Sequence, residues 1–397
     1  MNLLMNSDEN FSAGSKNLLR KVFYISGYDP RGAGFYHGLY DRESKKQSNI
    51  SGYEINVGSR NKVSKTQDRW RLSYICESGE KAETEYNFLK WDDIVRKFWI
   101  RDNLTILKES LKTYYTYLTQ SNTSKAFKDN NNLILSFYYP LVYFAVLIFL
   151  SIIFAGFISS FFSGAFGSLM FSIFFVTGLI AGYKAAEKFK IYWMLQILNF
   201  CKNPERMEIK EVDERINIFA QEILKELQKD NNKEVIVASH SIGVFLLIKL
   251  MSKLADSLDD KQLGMIKFLI LGQPAPLMSY FKESNSIHED LQKIQKRNFF
   301  IVDVASPADA ACFALQGIFE GVCDEGASKL VLISPKFHLM FNRLRYKIVK
   351  LNKYRMHFQY LMAAEESCDY DYFKITAGAG YLEDNIKSLV KNESMPV

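Results

Sequence analysis

The sequence predicts an α/β fold: a mostly parallel sheet with helices on both faces, interrupted by a two-helix apolar hairpin. Three observations carry that prediction. Short apolar strands alternate with helical segments along most of the chain, the pattern of a parallel sheet with crossover helices. One stretch, Asn130 to Tyr183, holds no Asp, Glu, Lys, Arg or His. Strand-like segments lie on both sides of that stretch, and neither side alone completes a sheet. The hairpin therefore interrupts one domain instead of separating two.

The elements follow in order. Residues 1–18 are expected as a flexible N-terminus. Residues 19–26 (LRKVFYIS) form a buried strand ending at Gly27, and 52–59 and 68–76 are strands by alternation and aromatic content. Residues 91–120 have helical spacing. Beyond the hairpin, 184–200 continues the second span as an amphipathic helix. Residues 212–229 form a helix with Ile216, Phe219, Ile223 and Leu227 on one face. The strand Val235–Ala238 precedes a helix from Ile242 to about Ala255. Strands at 266–271, 299–304 and 329–334 complete the sheet. The α/β domain is thus read as two parts, 19–129 and 184–365, around a hairpin at 130–183, with 366–397 as a C-terminal extension.

Composition separates two solvents. The 397 residues have a mean hydropathy of only −0.10, although 14% are aromatic. Eleven of the 31 Phe fall in the uncharged stretch, and all 50 Lys and Arg and all 44 Asp and Glu fall outside it. A bilayer span needs about 20 apolar residues. Residues 133–159 and 165–183 supply two, joined by a tip at 159–164. Gly156, Gly167, Gly178 and Gly182 are small enough for close helix approach. Lysines precede the hairpin (Lys112, Lys125, Lys128) and follow it (Lys184, Lys188, Lys190, Lys202), and the tip has none. By the positive-inside rule both termini and the α/β domain are expected on the cytoplasmic side of the cell's inner membrane. The N-terminus lacks a basic start followed by an apolar run, so no signal peptide is read. A net charge of +6 is too small to argue for nucleic acid but suits an anionic membrane surface. The five cysteines are scattered without a CxxC pair, which indicates thiols and neither a disulfide framework nor a zinc site. No metal, cofactor or nucleotide motif is found.

The sharpest local feature is Val235-Ile-Val-Ala-Ser239-His240-Ser241-Ile242-Gly243. A serine on a tight strand-to-helix turn projects its hydroxyl above a sheet. Small residues two before and two after let strand and helix pass closely. The backbone N–H of Ile242, at the helix start, aims at a developing oxyanion. Read plainly, Ser241 is also a good helix cap. The motif resembles the G-x-S-x-G nucleophile elbow of the α/β-hydrolase superfamily, with Ser239 standing where that pattern has its first glycine.

The resemblance implies the chain order nucleophile, acid, histidine. Asp309, in the turn after strand 299–304, is the candidate acid, with Asp303 as rival. His357, at a predicted helix start and among aromatic residues, is the candidate base, with His338 as rival. The loop Ser26-Gly27-Tyr28-Asp29-Pro30-Arg31-Gly32 supplies Gly27 and the Tyr28 N–H as the second oxyanion donor. It is similar to a G-[FY]-D-P-R-G stretch of membrane-linked bacterial hydrolase-like proteins. Arg31 either pairs with Asp29 or binds a substrate phosphate or carboxylate. The basic, apolar-interleaved run from Arg343 to Arg355 is either a solvated face or a contact with anionic headgroups. The expected function is an integral membrane serine hydrolase acting on ester or thioester bonds of lipids or other amphiphiles, without cofactor. The alternative is a catalytically inert membrane scaffold or sensor that keeps the fold.

Overall fold

The computed structural model describes residues 18–119, 131–229, 234–276, 285–320, 322 and 326–391. The expected flexible N-terminus lies outside these residues except for Leu18, which already pairs with Ala82. Lys125 and Lys128, read as flanking charges, and Cys323 also lie outside them.

Among the described residues, nine strands form one mixed sheet in the order β2-β4-β5-β1-β6-β7-β8-β9, with β3 on β4. In chain order these are β1 (Leu18–Ile25), β2 (Tyr53–Val57), β3 (Asn61–Lys62), β4 (Gln67–Cys76), β5 (Lys81–Leu89), β6 (Glu234–His240), β7 (Ile266–Leu271), β8 (Phe300–Val304) and β9 (Lys329–Ile333). Every pair from β5 across to β9 is parallel, while β2, β3 and β4 pair antiparallel. β1, before the hairpin, lies directly between β5 and β6, which the hairpin separates in sequence. The sheet is therefore built from both parts of the chain.

The central strands are apolar at nearly every position because both faces are covered. Alternation sends Phe23, Ile25, Val235, Val237, Phe268 and Ile270 into one core. It sends Val22, Tyr24, Ile236, Ala238, Leu269 and Leu271 into the other.

The helices are α1 (Ala33–Ser51), α2 (Asp92–Phe98), α3 (Asn103–Thr119), α4 (Asn131–Ser159), α5 (Gly164–Lys188), α6 (Ile191–Cys201), α7 (Lys210–Leu227), α8 (Gly243–Ser257), α9 (Asp260–Met265) and α10 (Asn285–Gln295). After β9 come α11 (Arg343–Val349), α12 (Lys353–Phe358), α13 (Tyr372–Ala377), α14 (Leu382–Asn385) and α15 (Lys387–Lys391). Several elements lie outside the sequence reading: α1, whose polar residues dilute its periodicity, β5, the two-residue β3, and the helices α9, α10, α11, α13, α14 and α15. The single helix expected over 91–120 is two, α2 and α3, with Trp99 leaving α2 in extended conformation. The expected continuation of the second span through 184–200 breaks as well. Lys190 takes a left-handed conformation (φ 59°), and α6 starts afresh behind it.

α4 and α5 pack as a hairpin, and both are long and apolar enough to cross a membrane by length and composition. They pack closely where Gly178 faces Ser151, at a position where a Cβ would lie 2.7 Å from the Ser151 hydroxyl, and where Gly182 faces Leu147. Gly156 faces open space, and a Cβ on Gly167 would meet the carbonyl of Phe162 in its own turn. The foot of the hairpin is tied to the domain. Tyr143 donates to the Gly182 carbonyl (2.7 Å), Tyr139 to Phe189 (3.0 Å) and Tyr114 to Phe137 (2.8 Å).

Residues 366–391, expected as an extension, pack into the domain. Tyr370, Tyr372, Phe373, Ile375 and Leu382 belong to the second core. A buried ion pair anchors them: Arg20 on β1 bonds Glu234 on β6 at 2.6 Å and donates to the carbonyls of Gly378 and Gly380. The second Glu234 oxygen accepts the Leu382 N–H at 2.7 Å.

Candidate active site

β6 ends in Ser239 and His240, the chain turns at Ser241, and α8 begins at Gly243. Ser241 has φ 56°, a left-handed conformation that non-glycine residues adopt at a cost of order 1 kcal/mol or more and that clusters at functional sites. Its N–H is fixed by the Leu271 carbonyl at 2.9 Å. The small residues around it have geometric reasons. A Cβ on Gly243 would lie 2.6 Å from the Ser26 carbonyl oxygen, where α8 crosses the end of β1. A Cβ on Gly27 would lie 3.0 Å from the Ser241 Cβ. Ser239 is fully buried, and its hydroxyl has no partner among the described residues. The site tolerates a serine in place of glycine without using its oxygen.

The Ser241 hydroxyl lies 2.7 Å from His357 Nε2, on α12, and His357 Nδ1 lies 2.9 Å from Asp309 Oδ2, in the loop after β8. All three are buried. An ionised carboxylate only accepts, so His357 Nδ1 donates to Asp309 and Nε2 is left to accept the serine proton. Burial pushes the Asp309 carboxyl up, but the His357 charge, its hydrogen bond and the Ala311 N–H outweigh burial and hold it below the ordinary carboxylate range.

The other candidates lie elsewhere. Asp303 points from β8 to Gln273 Nε2 at 3.1 Å, and burial raises its carboxyl to about 8. His338 is exposed, its ring edge-on to Tyr346. Arg31 gives Nε and Nη2 to Asp29 and Nη2 also to Tyr354, and its guanidinium lies 3.6 Å over the Phe35 ring. The local ion pair is therefore formed.

Two further groups frame the histidine, and nothing in their spacing announced it. His240 donates Nε2–H to the His357 carbonyl at 2.8 Å, and the two rings lie 4.8 Å apart. Burial lowers the His240 pKa to about 3, so it stays neutral beside His357. Trp193, on α6 just beyond the hairpin, lies 5.7 Å from the His357 ring. On the acid side, Ser136 in the first turns of α4 donates to the carbonyl of Ala310, next to Asp309. Pro140, four residues on, cannot donate to the Ser136 carbonyl as a helix interior requires. The first hairpin helix and the helix that follows the second thus both meet the site.

Donors for an oxyanion stand on either side of Ser241. The N–H groups at the start of α8, Ile242 and Gly243, precede the first intrahelical bond of that helix. The Tyr28 N–H follows Gly27, and its loop is pinned by the Trp91 indole donating to the Ser26 carbonyl at 2.8 Å. A cavity of about 390 Å³ opens next to this loop, walled by Tyr28, Trp99, Arg101, Lys190, Trp193 and Tyr354 among others. Among the described residues, no three His, Cys, Asp or Glu side chains gather as metal ligands. No protein-family model, curated protein or solved structure matches the chain.

Proposed function

We propose that the chain is a serine hydrolase of α/β-hydrolase-like architecture, anchored by its hairpin in a membrane and cleaving ester or thioester bonds of amphiphilic substrates. The observation that carries the reading is the hydrogen-bonded series Ser241–His357–Asp309, built on a left-handed serine between a parallel strand and a helix. The strand order supports it too. The serine follows β6, the acid follows β8 and the histidine follows β9, as in hydrolases whose triad runs Ser, Asp, His.

In this mechanism Ser241 Oγ attacks the substrate carbonyl carbon while its proton passes to His357 Nε2. The N–H groups of Ile242 and Tyr28 stabilise the tetrahedral oxyanion, with Gly27 leaving room for it. The C–O or C–S bond then breaks, and the leaving group takes the proton from His357. Water, deprotonated by the same nitrogen, hydrolyses the acyl-enzyme and regenerates the serine. Asp309 holds the imidazole tautomer and stabilises the imidazolium.

Membrane anchoring rests on the length and apolarity of α4 and α5 and on lysines at the foot but not the tip. The preference for amphiphiles rests on the aromatic cavity, whose wall includes Lys190 and Trp193 from the root of the hairpin. The test is labelling by a fluorophosphonate probe. Wild type is expected to label and Ser241→Ala not to; labelling retained in Ser241→Ala removes that serine as nucleophile. A wild type that neither labels nor turns over any ester supports the inert scaffold.

A further inference from the structure

The segment after β9 carries an apolar stripe that the domain does not cover. Leu344 is 74% exposed, Ile348 65% and Leu351 73%. Their spacing of four and three residues puts them on one face of α11 and its C-terminal turn. Leu339, just before, is also exposed. Four cations lie within the same stretch: Arg343, Arg345, Lys347 and Lys350. Only Arg345 has an ion-pair partner among the described residues, Glu365 at 3.2 Å.

The stripe is short but well located. Asn352 caps α12 through the Arg355 N–H, so α11 runs almost directly into the helix that carries Tyr354 and His357. Tyr354 lies against the root of the hairpin: Lys190 Nζ is 5.3 Å from its ring and Trp193 is 5.1 Å from it edge-on. An exposed apolar face rimmed by Arg343, Lys347 and Lys350 therefore ends three residues before Tyr354, the ring that meets the root of the hairpin. This composition suits the interface of an anionic bilayer, where apolar side chains enter the acyl boundary and Lys and Arg meet headgroup phosphates.

We propose that α11 and Leu351 form an interfacial element, seated in the anionic headgroup layer of the leaflet from which the hairpin enters. The inference rests on the reading of α4 and α5 as membrane-spanning. It adds a second, charge-dependent attachment that orients the α12 side of the domain toward lipid.

The experiment uses the full chain reconstituted into vesicles of phosphatidylcholine and brominated phosphatidylglycerol. An environment-sensitive thiol dye is placed at Ile348→Cys or, in the hairpin, at Ile153→Cys, and the signal of the labelled parent chain is subtracted. Quenching is expected at both sites. Quenching at 153 without quenching at 348 overturns the interfacial element, leaves the hairpin reading intact and assigns the stripe to an acidic protein surface. Quenching at neither site overturns both. With Arg343, Lys347 and Lys350 replaced by Gln, quenching at 348 is expected to fall several-fold while that at 153 stays unchanged. Equal quenching at 348 with and without these cations overturns the anionic-headgroup component.

Discussion

His240 donates its Nε2–H to the backbone carbonyl of His357 across 2.8 Å. The residue before the candidate nucleophile thus holds the main chain of the candidate base. Because a carbonyl can only accept, this bond also sets the tautomer of His240, and its low pKa of about 3 keeps charge away from the site. In His240→Phe a buried carbonyl loses its donor. That costs about 1–3 kcal/mol of stability. Ester turnover is expected to fall by roughly 10- to 100-fold in kcat, because small misplacements of a base are amplified in rate. His240→Gln, which keeps a donor, is expected to recover part of the loss. Equal kcat for wild type and His240→Phe would show that the bond does not position His357.

Asp309→Asn removes the charge that faces His357 and allows the wrong imidazole tautomer. A loss of about 10⁴ in kcat is expected, as for the corresponding change in other Ser-His-Asp sites. His338→Ala is expected to keep its turnover, since that ring is exposed away from Ser241. Steady-state kinetics on a soluble ester check both, and a dead His338→Ala would reassign the base.

Asp303 titrates in a way that stability reports. Burial raises its carboxyl to about 8, far above the about 3.9 of a free aspartate side chain. Between those values the folded chain holds a proton that the unfolded chain releases, so this group makes stability fall as pH rises from about 4 to about 8. Asp303→Asn removes the dependence. The thermal midpoint of the variant relative to wild type is expected to climb across that window in detergent solution; a constant difference contradicts the assignment of a protonated Asp303.

The elbow makes opposite demands at its two flanking positions. A Cβ at Gly243 would lie 2.6 Å from the Ser26 carbonyl oxygen. Gly243→Ala is expected to cost about 1–3 kcal/mol and to reduce turnover by moving α8 off β1. Ser239→Gly is expected to leave turnover intact, because the Ser239 hydroxyl has no partner among the described residues. Thermal unfolding and kinetics on the two variants separate these effects, and a harmless Gly243→Ala would refute the close approach.

The buried Arg20–Glu234 pair joins β1, β6 and the C-terminal segment. Breaking it by Glu234→Gln leaves Arg20 without its counter-charge and is expected to cost about 3–5 kcal/mol. A chain ended at residue 365 is expected not to fold, because it loses the acceptors at Gly378 and Gly380 and much of the second core. A well-folded truncated chain, judged by its thermal transition, would make that segment dispensable.

Much of this architecture is legible in the sequence. The runs at 235–238, 266–271 and 299–304 read as strands because parallel strands buried on both faces leave few polar positions. The uncharged stretch read as a hairpin because apolar length is a sequence property. What escaped has local causes. α1 escaped because its buried face carries the polar residues Glu43, Ser44 and Gln47. The breaks at Trp99 and Lys190 escaped because nothing in those residue types forbids a helix. Residues 366–391 read as an extension because the aromatics that bury them, among them Tyr372 and Phe373, meet partners on α1, β4 and β5 far away in sequence.

By itself the sequence determined the alternation of strands and helices, the segregation of charge from the hairpin, and a short roster of candidate residues: one serine on a turn, two acids and two histidines. Choosing among them required the fold. Ser241 and His357 are 116 residues apart, and Asp309 and His357 are 48 apart. Only a parallel sheet that sets the ends of β6, β8 and β9 along one edge brings their side chains within hydrogen-bonding distance. The same sheet seats the foot of the hairpin against the site, through Ser136 on one side and Trp193 on the other, and no local pattern carries that information.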